Sequence, residues 1–351
     1  MTERQAFSPD SSNYVNPSPY SVAVIGAGSW GTALALLLAR CEKQTLLWSG
    51  EPGHAQAMVQ SAANKAYLPD TPLDERITPS DDFAEAAKAT HTVLAVPSHA
   101  FRDVLTRLKT QLPKNERRYI CWGTKGFEPD TSLLLSDVFH EVMAGRAIPA
   151  VVSGPSFAGE VARGLPSALT VAAEQHEDAV AVAAWFRDQH TRVYTSTDLR
   201  GVQLGGAIKN VMAIAAGISD GLGFGANARA ALITRGLSEL ARLGQALGGR
   251  ADTFMGLTGL GDLILTCTDD QSRNRRVGLA IGRGEDISQA LETIGQEAEG
   301  INTARELYRK SKALDVEMPI SEQVYRIVFE QLNPAKAVDA LLSREPRAEE
   351  Q

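Results

Sequence analysis

One lysine stands alone in a long apolar stretch of the chain. Residues 204–218 read LGGAIKNVMAIAAGI, in which Lys209 is the only ionisable residue and Asn210 stands beside it. At helical spacing Gly205 and Ala213 flank Lys209, so another group has room to approach its ammonium. Burying a lysine is unfavourable unless its charge is paired. The pattern predicts a catalytic proton donor; the alternative is a stem that lies along the core with its ammonium in water.

Two later segments carry side chains that such a lysine would need. Asp262 stands in TGLGDLIL, between a glycine turn and an apolar helix, where it is either a partner of the lysine or a helix N-cap. Residues 271–276 read QSRNRR, and a combination of arginine with asparagine suits forked recognition of phosphate. In an otherwise acidic protein, this cluster predicts a phosphate site; a solvated charge patch is the alternative.

A glycine-rich loop near the N-terminus has the spacing of a phosphate cradle. The stretch GAGSWG, residues 26–31, follows an apolar strand pattern and opens a helical one. Gly26 allows a tight turn, Gly28 lets the backbone approach a pyrophosphate, and Gly31 lets helix and strand pack closely. The helix N-terminus then offers its N–H groups to the phosphates. The loop predicts a nicotinamide dinucleotide, beside which Lys209 would protonate a carbonyl that accepts hydride.

The choice between NAD and NADP is left open by the sequence. An acidic residue about 20 positions after the loop usually holds the ribose 2′-hydroxyl, and Glu51 has about that spacing. The second strand pattern, however, ends in Ser49 and Gly50, so no carboxylate at its tip clearly repels a 2′-phosphate. His54 either assists there or is a surface residue. The sequence therefore favours acceptance of both cofactors.

Strand and helix patterns alternate over the first 200 residues, which places these residues on a sheet. We expect strands at residues 21–25, 45–48, 91–96, 119–122 and 150–153, with weaker ones at 168–172 and 192–194. Helical patterns lie between them at 32–40, 82–89, 99–112 and 131–143. Continuous apolar strands separated by helices predict a parallel sheet covered on both faces. Lys125 and Gly154 follow two of the strands and are thereby placed at the ligand-binding edge.

Beyond residue 198 only helical patterns remain, at 201–218, 226–247, 287–293, 303–313 and 321–331. The predicted fold is therefore an α/β N-terminal domain of Rossmann type, with a mostly parallel sheet, followed by an all-α C-terminal domain. We expect a disordered tail at 1–19, the dinucleotide-binding domain at 20–198, the helical substrate domain at 199–343 and a frayed tail at 344–351.

Composition excludes several classes of protein. With 351 residues and a net charge of −7, the chain should form two domains and bind neither nucleic acid nor anionic membranes broadly. Its three cysteines are far apart, which predicts neither a disulfide framework nor a zinc site. The N-terminus lacks the apolar stretch of a signal peptide, and no segment has the roughly 18 uninterrupted apolar residues of a membrane span. These features predict a cytoplasmic protein without metal.

Taken together, the motifs resemble those of the prokaryotic-type NAD(P)-dependent glycerol-3-phosphate dehydrogenases. The matching stretches span about residues 21–343 and are VIGAGSWGTAL, VPSH, TKG, SGPSFA, GVQLGGAIKN, SDGLGFGANAR, GLGDL and QSRNRR. The resemblance implies interconversion of dihydroxyacetone phosphate and sn-glycerol 3-phosphate for glycerophospholipid synthesis, with NAD or NADP. It also implies a homodimer.

The resemblance assigns roles residue by residue. It implies that Lys209 is the general acid/base and Asp262 its electrostatic neighbour. The implied substrate-binding residues are Lys125, Gly154, Ser156, Lys209, Asn210, Asp262, Ser272, Arg273 and Asn274. The implied cofactor-binding residues are Gly26, Gly28, Ser29, Trp30, Gly31, Gly50, Lys125, Ala158, Arg273, Glu297 and Glu299.

Two departures and two alternative functions accompany the resemblance. Gly50 stands where many relatives carry histidine or arginine, which weakens the case for NADP preference, and Glu297 stands where relatives are often apolar. One alternative is a β-hydroxyacid dehydrogenase, which would anchor a carboxylate instead of a phosphate. The other is a dinucleotide sensor without turnover, for which neither Lys209 nor the QSRNRR cluster is needed.

Overall fold

The structure is a computed structural model that describes residues 18–113, 117–294 and 298–345. Its first half is built on one eight-stranded sheet with the order β3-β2-β1-β4-β5-β6-β7-β8. The strands are β1 Val22–Ile25, β2 Thr45–Trp48, β3 Ile77–Ser80, β4 His91–Leu94, β5 Arg118–Trp122, β6 Ala147–Ser153, β7 Ser167–Ala173 and β8 Thr191–Ser196. All neighbouring strands run parallel except β6 and β7, which confirms the mostly parallel sheet.

Helices cover both faces of this sheet, which is why its central strands are apolar throughout. They are α1 Ser29–Arg40, α2 His54–Ser61, α3 Phe83–Ala86, α4 Phe101–Gln111, α5 Leu135–Met143, α6 Ala158–Ala162 and α7 His176–Ala183. In β1, Val22 and Val24 join the apolar cluster on one face, and Ala23 and Ile25 join the cluster on the other. A strand buried on both faces needs no polar residue in its alternation.

The second half consists of helices packed around one central helix. They are α8 Leu199–Gly221, α9 Ala226–Ala246, α10 Ala251–Phe254, α11 Asp262–Thr268, α12 Arg273–Gly282, α13 Ile287–Ile294, α14 Glu299–Ala313, α15 Pro319–Glu330 and α16 Pro334–Leu342, with a π-helical turn at Leu257–Gly261. Helix α8 has the length and apolar composition of a membrane span, but its apolar window is fully buried within the protein. It is the core of the helical half.

Glycines let α12 lie directly against α8. A Cβ atom at Gly278 would overlap the carbonyl oxygen of Ile214, and one at Gly217 would overlap that of Arg275. The two backbones therefore touch, and no larger side chain fits between them. This close packing fixes the QSRNRR segment beside the helix that carries Lys209.

The sequence-based elements are confirmed in type, with three differences. Strand β3 was missed because its sequence, ITPS, is short, polar and interrupted by Pro79. Helices α2, α6, α7, α10, α12 and α16 were also missed, and the helix expected at 131–143 begins only at Leu135. Finally, β7 runs antiparallel to β6. The intervening α6 has five residues and rises only about 7.5 Å, too short to carry the chain back along β6.

Candidate active site

A buried carboxylate lies between two lysines at the centre of the site. Asp262 Oδ1 accepts a hydrogen bond from Lys209 Nζ at 2.5 Å, and Oδ2 accepts one from Lys125 Nζ at 2.7 Å. Asp262 is 0% exposed and Lys209 7%. Lys125 comes from the loop after β5, Lys209 from α8 and Asp262 from the start of α11. The fold thus joins three positions that are far apart in sequence.

This arrangement decides two alternatives left open by the sequence. The ammonium of Lys209 is bonded inside the protein, so the stem with its charge in water is wrong. The residue before α11 is Gly261, and both carboxylate oxygens of Asp262 face lysines, so the N-cap interpretation is also wrong. Both residues belong to one ionic cluster.

Thr266 completes the surroundings of Lys209. Its hydroxyl accepts a hydrogen bond from Lys209 Nζ at 2.8 Å and donates one to the carbonyl oxygen of Asp262 at 2.6 Å. Sequence reasoning missed this residue. The spacing in the sequence could have indicated Thr266, because a residue four positions after Asp262 lies on the same face of a helix.

Burial and neighbouring charges shift the pKa values of this cluster. Burial lowers the pKa of Lys209 to about 8, the carboxylate of Asp262 opposes that change, and the ammonium of Lys125 adds to it. Burial alone would raise the pKa of Asp262, but Lys125 and Lys209 outweigh it and hold that pKa below its ordinary value. Asp262 is therefore a carboxylate, and Lys209 can both give and take a proton near neutral pH.

The QSRNRR segment forms the first turn of α12. Ser272 is its N-cap, and the Ser272 hydroxyl accepts a hydrogen bond from the backbone N–H of Arg275 at 3.2 Å. Arg275 is buried, with ion pairs to Asp220 at 2.6 Å and to Asp270. The solvated-patch alternative is therefore wrong for Arg275, which ties the segment to the end of α8. The N-terminus of α12, which carries Arg273 and Asn274, is a suitable place for an anion.

Asn274 is oriented by the neighbouring helix α14. Its Oδ1 accepts a hydrogen bond from the backbone N–H of Gly300 at 3.0 Å. A Cβ atom at Gly300 would lie 2.6 Å from Asn274 Oδ1 and 2.9 Å from the carbonyl oxygen of Asn210. Three helices therefore meet beside Lys209, and the bond from Gly300 assigns the amide nitrogen of Asn274 as the donor toward a ligand.

The glycine loop fits a dinucleotide. Gly26 has φ +110°, a Cβ atom there would lie 2.6 Å from the carbonyl oxygen of Ala95, and one at Gly31 would overlap the carbonyl oxygen of Gly26. At Gly28 nothing lies within 4 Å of an added Cβ, so the space above the loop is open. Helix α1 begins there with no side-chain cap and no acidic residue in its first turn. Its N–H groups are thus available for a pyrophosphate.

Comparison with known proteins agrees with this geometry. Models of the NAD-dependent glycerol-3-phosphate dehydrogenase N-terminus and C-terminus match residues 21–179 and 198–339. The chain belongs to this family.

Relatives match the chain over nearly all of its length. Glycerol-3-phosphate dehydrogenase [NAD(P)+] of Thioalkalivibrio sulfidiphilus is 53% identical over 329 residues, which are 93% of this chain and 98% of the relative. That of Shewanella halifaxensis is 50% identical over 330 residues, 93% and 97% of the two chains. The crystal structure of glycerol-3-phosphate dehydrogenase from Coxiella burnetii has a TM-score of 0.89 and 45% identity, and covers 93% of this chain and 100% of that one. Membership decides against the β-hydroxyacid alternative.

The loop after β6 lies against the turn that precedes Asp262. Gly154 has φ +139°, where a side chain would be strained, and Ser156 Oγ donates a hydrogen bond to its carbonyl oxygen at 3.0 Å. A Cβ atom at Gly261 would touch Pro155 at 3.7 Å. Ala158 begins α6 and is packed against the core of the sheet.

The remaining cofactor candidates lie around the glycine loop and α14. A Cβ atom at Gly123 would overlap the indole nitrogen of Trp30, so Trp30 contacts the loop that carries Lys125. Ser29 Oγ donates a hydrogen bond to the carbonyl oxygen of Tyr67 at 2.8 Å. Glu299 begins α14, whereas Glu297 lies outside the described residues.

Within residues 18–113, 117–294 and 298–345, no group of three or more histidine, cysteine, aspartate or glutamate side chains could hold a metal ion. The site is built from lysines, one carboxylate, arginine, amides and backbone N–H groups.

Proposed function

We propose that the protein catalyses reversible hydride transfer between NAD(P)H and dihydroxyacetone phosphate, with sn-glycerol 3-phosphate as the product. The observation that carries this proposal is the Lys125–Asp262–Lys209 cluster. Its Lys209 has a pKa of about 8 and lies near the N-terminus of α12, and helix N-termini bind phosphate groups. A dinucleotide sensor would need neither feature.

Lys209 acts as the general acid in the reductive direction. An ammonium has three N–H donors, and two of them are directed at Asp262 Oδ1 and Thr266 Oγ1. The third is left for the carbonyl oxygen of the substrate. As negative charge develops on that oxygen, Lys209 transfers its proton, and Asp262 holds the lysine in place throughout. In the oxidative direction the neutral amine accepts the hydroxyl proton.

Lys125 balances the charge of the site. Its ammonium shares Asp262 with Lys209, and its own remaining donors serve the substrate and the cofactor. With two lysines and one carboxylate, the cluster carries a net positive charge that favours an anionic substrate. Asn210, the neighbour of Lys209 on α8, is proposed to contact the substrate as well.

The phosphate of the substrate is anchored away from the reacting carbon. We assign this to Arg273, Asn274 and Ser272 at the start of α12, with Gly154 and Ser156 on the opposite loop. A phosphate fixed there holds the carbonyl within reach of Lys209, which lowers the entropic part of the barrier.

The glycine loop and its surroundings hold the cofactor. Gly26, Gly28, Ser29 and Gly31 receive the pyrophosphate, and when bound the nicotinamide supplies or accepts the hydride. We assign further cofactor contacts to the residues Trp30, Gly50, Lys125, Ala158, Arg273, Glu297 and Glu299.

The setting of the enzyme is part of the proposal. We infer that it works in the cytoplasm, which is supported by the three free cysteines, two of them buried. We also propose that its product feeds glycerophospholipid synthesis and that the protein is a homodimer. Both proposals rest on the resemblance of the chain to this family. Sedimentation of the purified protein tests the dimer.

One assay tests the activity. The purified protein is mixed with dihydroxyacetone phosphate and either NADH or NADPH, and the absorbance of the reduced cofactor is followed. Oxidation of the cofactor with this substrate, and none with a keto acid of similar size, is the expected result. Cofactor binding without oxidation would support a sensor and refute the proposal.

A further inference from the structure

A glutamate at the tip of β2 is held in place by a tyrosine from another segment. Glu51 Oε1 accepts a hydrogen bond from the hydroxyl of Tyr67, with 2.5 Å between the oxygens. The side chain of Glu51 is 60% exposed, so its carboxylate faces solvent. The hydrogen bond to Glu51 is the main reason why the pKa of Tyr67 is raised to about 12, and the tyrosine therefore stays a donor. A surface carboxylate that would otherwise be mobile is thus given a fixed direction.

The segment that carries Tyr67 is fastened to the glycine loop. The carbonyl oxygen of Tyr67 accepts a hydrogen bond from Ser29 Oγ at 2.8 Å. Three residues earlier, the buried Asn64 donates from Nδ2 to the carbonyl oxygen of Ala27 at 2.7 Å and to Thr32 Oγ1 at 2.8 Å. The position of the Glu51 carboxylate is therefore set relative to the loop that would hold the pyrophosphate.

His54 lies behind Glu51 and is committed to other partners. Its Nε2 is 3.0 Å from Asn64 Oδ1 and its Nδ1 is 2.8 Å from Ser49 Oγ. Because Asn64 Oδ1 can only accept, Nε2 is the donor in that hydrogen bond. His54 is 9% exposed. Both of its ring nitrogens are occupied by protein partners, so His54 is a structural residue of this segment.

The tip of β2 itself carries no basic side chain apart from His54. From residue 44 to residue 64 the sequence contains no lysine or arginine. In the described part of the chain, the basic group within 4.0 Å of the Glu51 carboxylate is His54 Nδ1, which lies 3.9 Å from Oε2. Oε2 is left to accept a hydrogen bond from a ligand hydroxyl.

We propose that Glu51, aimed by Tyr67, accepts a hydrogen bond from the ribose 2′-hydroxyl and repels a 2′-phosphate, so that this enzyme prefers NAD to NADP. A carboxylate at this strand tip is the usual partner of a free 2′-hydroxyl, and a doubly charged phosphate beside it is disfavoured by like-charge repulsion. The inference deepens the proposed function and rests on it only for the identity of the cofactor. It assigns to Glu51 and Tyr67 a selectivity that Ser49 and Gly50 do not supply.

Binding of nucleotide fragments tests this without turnover. The dissociation constants of 5′-AMP and of 2′,5′-ADP are measured by calorimetry with the wild-type protein, Glu51→Gln, Tyr67→Phe and the control Glu177→Gln. Glu177 is an exposed residue of α7. These two probes differ only in the 2′-phosphate, and all four proteins keep the Lys209 cluster.

We expect the wild type and the control to bind 5′-AMP at least about ten-fold more tightly than 2′,5′-ADP at low salt, where a charge–charge effect is largest. Glu51→Gln should reduce this ratio toward one, and Tyr67→Phe should reduce it partly, because the carboxylate stays but loses its direction. Equal binding of the two probes by the wild type, or an unchanged ratio in Glu51→Gln, would overturn the proposal.

Kinetics then separates this inference from the proposed function. The ratio of kcat/KM for NADH to that for NADPH should fall in Glu51→Gln as the binding ratio falls. A protein that discriminates the two fragments but does not reduce dihydroxyacetone phosphate would refute the activity and leave the selectivity standing. A protein that reduces dihydroxyacetone phosphate with equal efficiency with NADH and with NADPH would refute the selectivity and leave the activity standing.

Discussion

At the scale of single residues, the proposed chemistry depends on one lysine, Lys209, whose proton is easily lost. Lys209 is buried, so its charged form is disfavoured, yet Asp262 is close enough to prevent complete neutralisation. A pKa near the working pH is what a group needs if it is to act as acid in one direction and base in the other. Lys125 makes this possible because it shares the same carboxylate.

Replacement of Lys209 tests its role directly. Lys209→Ala should reduce kcat for dihydroxyacetone phosphate by about 10²–10⁴-fold, the usual contribution of general acid catalysis. The dissociation constant of NADH should stay near normal, because the glycine loop is untouched. Lys88→Ala, an exposed lysine that precedes β4, serves as the control. Turnover that is unchanged in Lys209→Ala would rule out the assignment.

The pKa of Lys209 also predicts opposite pH profiles for the two directions. The ammonium is the reactive form in reduction, so initial kcat/KM for dihydroxyacetone phosphate should fall as pH rises above about 8. The neutral amine is the reactive form in oxidation, so kcat/KM for glycerol 3-phosphate should rise through the same pH. Initial rates from pH 6 to 10 check this. Profiles that move in the same direction would contradict a single acid/base group.

At the scale of elements, the site depends on how closely α12 lies against α8. The contact is made by backbone atoms at Gly217 and Gly278, and it brings the first turn of α12 beside Lys209. Arg275 adds a second attachment through Asp220 at the end of α8. The distance between the proposed phosphate anchor and the proposed proton donor is thereby set by two helices and not by a loop.

A methyl group between these helices should disturb both stability and substrate binding. In Gly278→Ala the new Cβ would overlap the carbonyl oxygen of Ile214, so we expect a loss of about 1–3 kcal/mol in the free energy of unfolding. KM for dihydroxyacetone phosphate should rise more than KM for NADH, because only the phosphate anchor moves.

Urea unfolding and steady-state kinetics measure the two effects. Gly225→Ala is the matched control, since nothing lies within 4 Å of a Cβ added at Gly225. Equal stability of the two variants would show that the α8–α12 contact has no such role.

At the scale of the whole molecule, a second buried carboxylate links the pH to global stability. Glu239 of α9 accepts hydrogen bonds from the backbone N–H groups of Ile320 and Ser321 at the start of α15, at 2.5 and 3.1 Å. Burial raises the pKa of Glu239 from 4.5 to about 7, although these hydrogen bonds oppose the change. Glu239 plays no part in the proposed chemistry.

The raised pKa of Glu239 predicts that the free energy of unfolding decreases as pH rises. Because the folded-state pKa exceeds the unfolded value, the contribution of Glu239 is fully present below pH 4.5 and is lost as pH rises through about 7. Glu239→Gln removes this titration, so the free energy of unfolding of the wild type should decline more steeply between pH 4.5 and 7 than that of the variant. Urea unfolding at a series of pH values compares the slopes, and equal slopes would refute the prediction.

The sequence by itself determined the class of fold and the types of residue in the site. Apolar strands alternating with helices specified a covered, mostly parallel sheet, and the GAGSWG loop specified a phosphate cradle, because both depend on local pattern. The functional roles of the site residues and the domain boundary at residues 198 and 199 stay predictions. Strand β3 escaped detection because its pairing with β2, and not its own composition, makes it a strand.

Only the tertiary structure decided which of these residues meet. Asp262 could be an N-cap or an ion partner from its sequence alone, and the choice depended on Lys125 and Lys209 arriving from β5 and α8. Likewise Glu51 acquired a direction only through Tyr67, sixteen positions away. Charges and hydrogen bonds act over a few ångströms in space, whatever the separation along the chain, so local pattern cannot specify them.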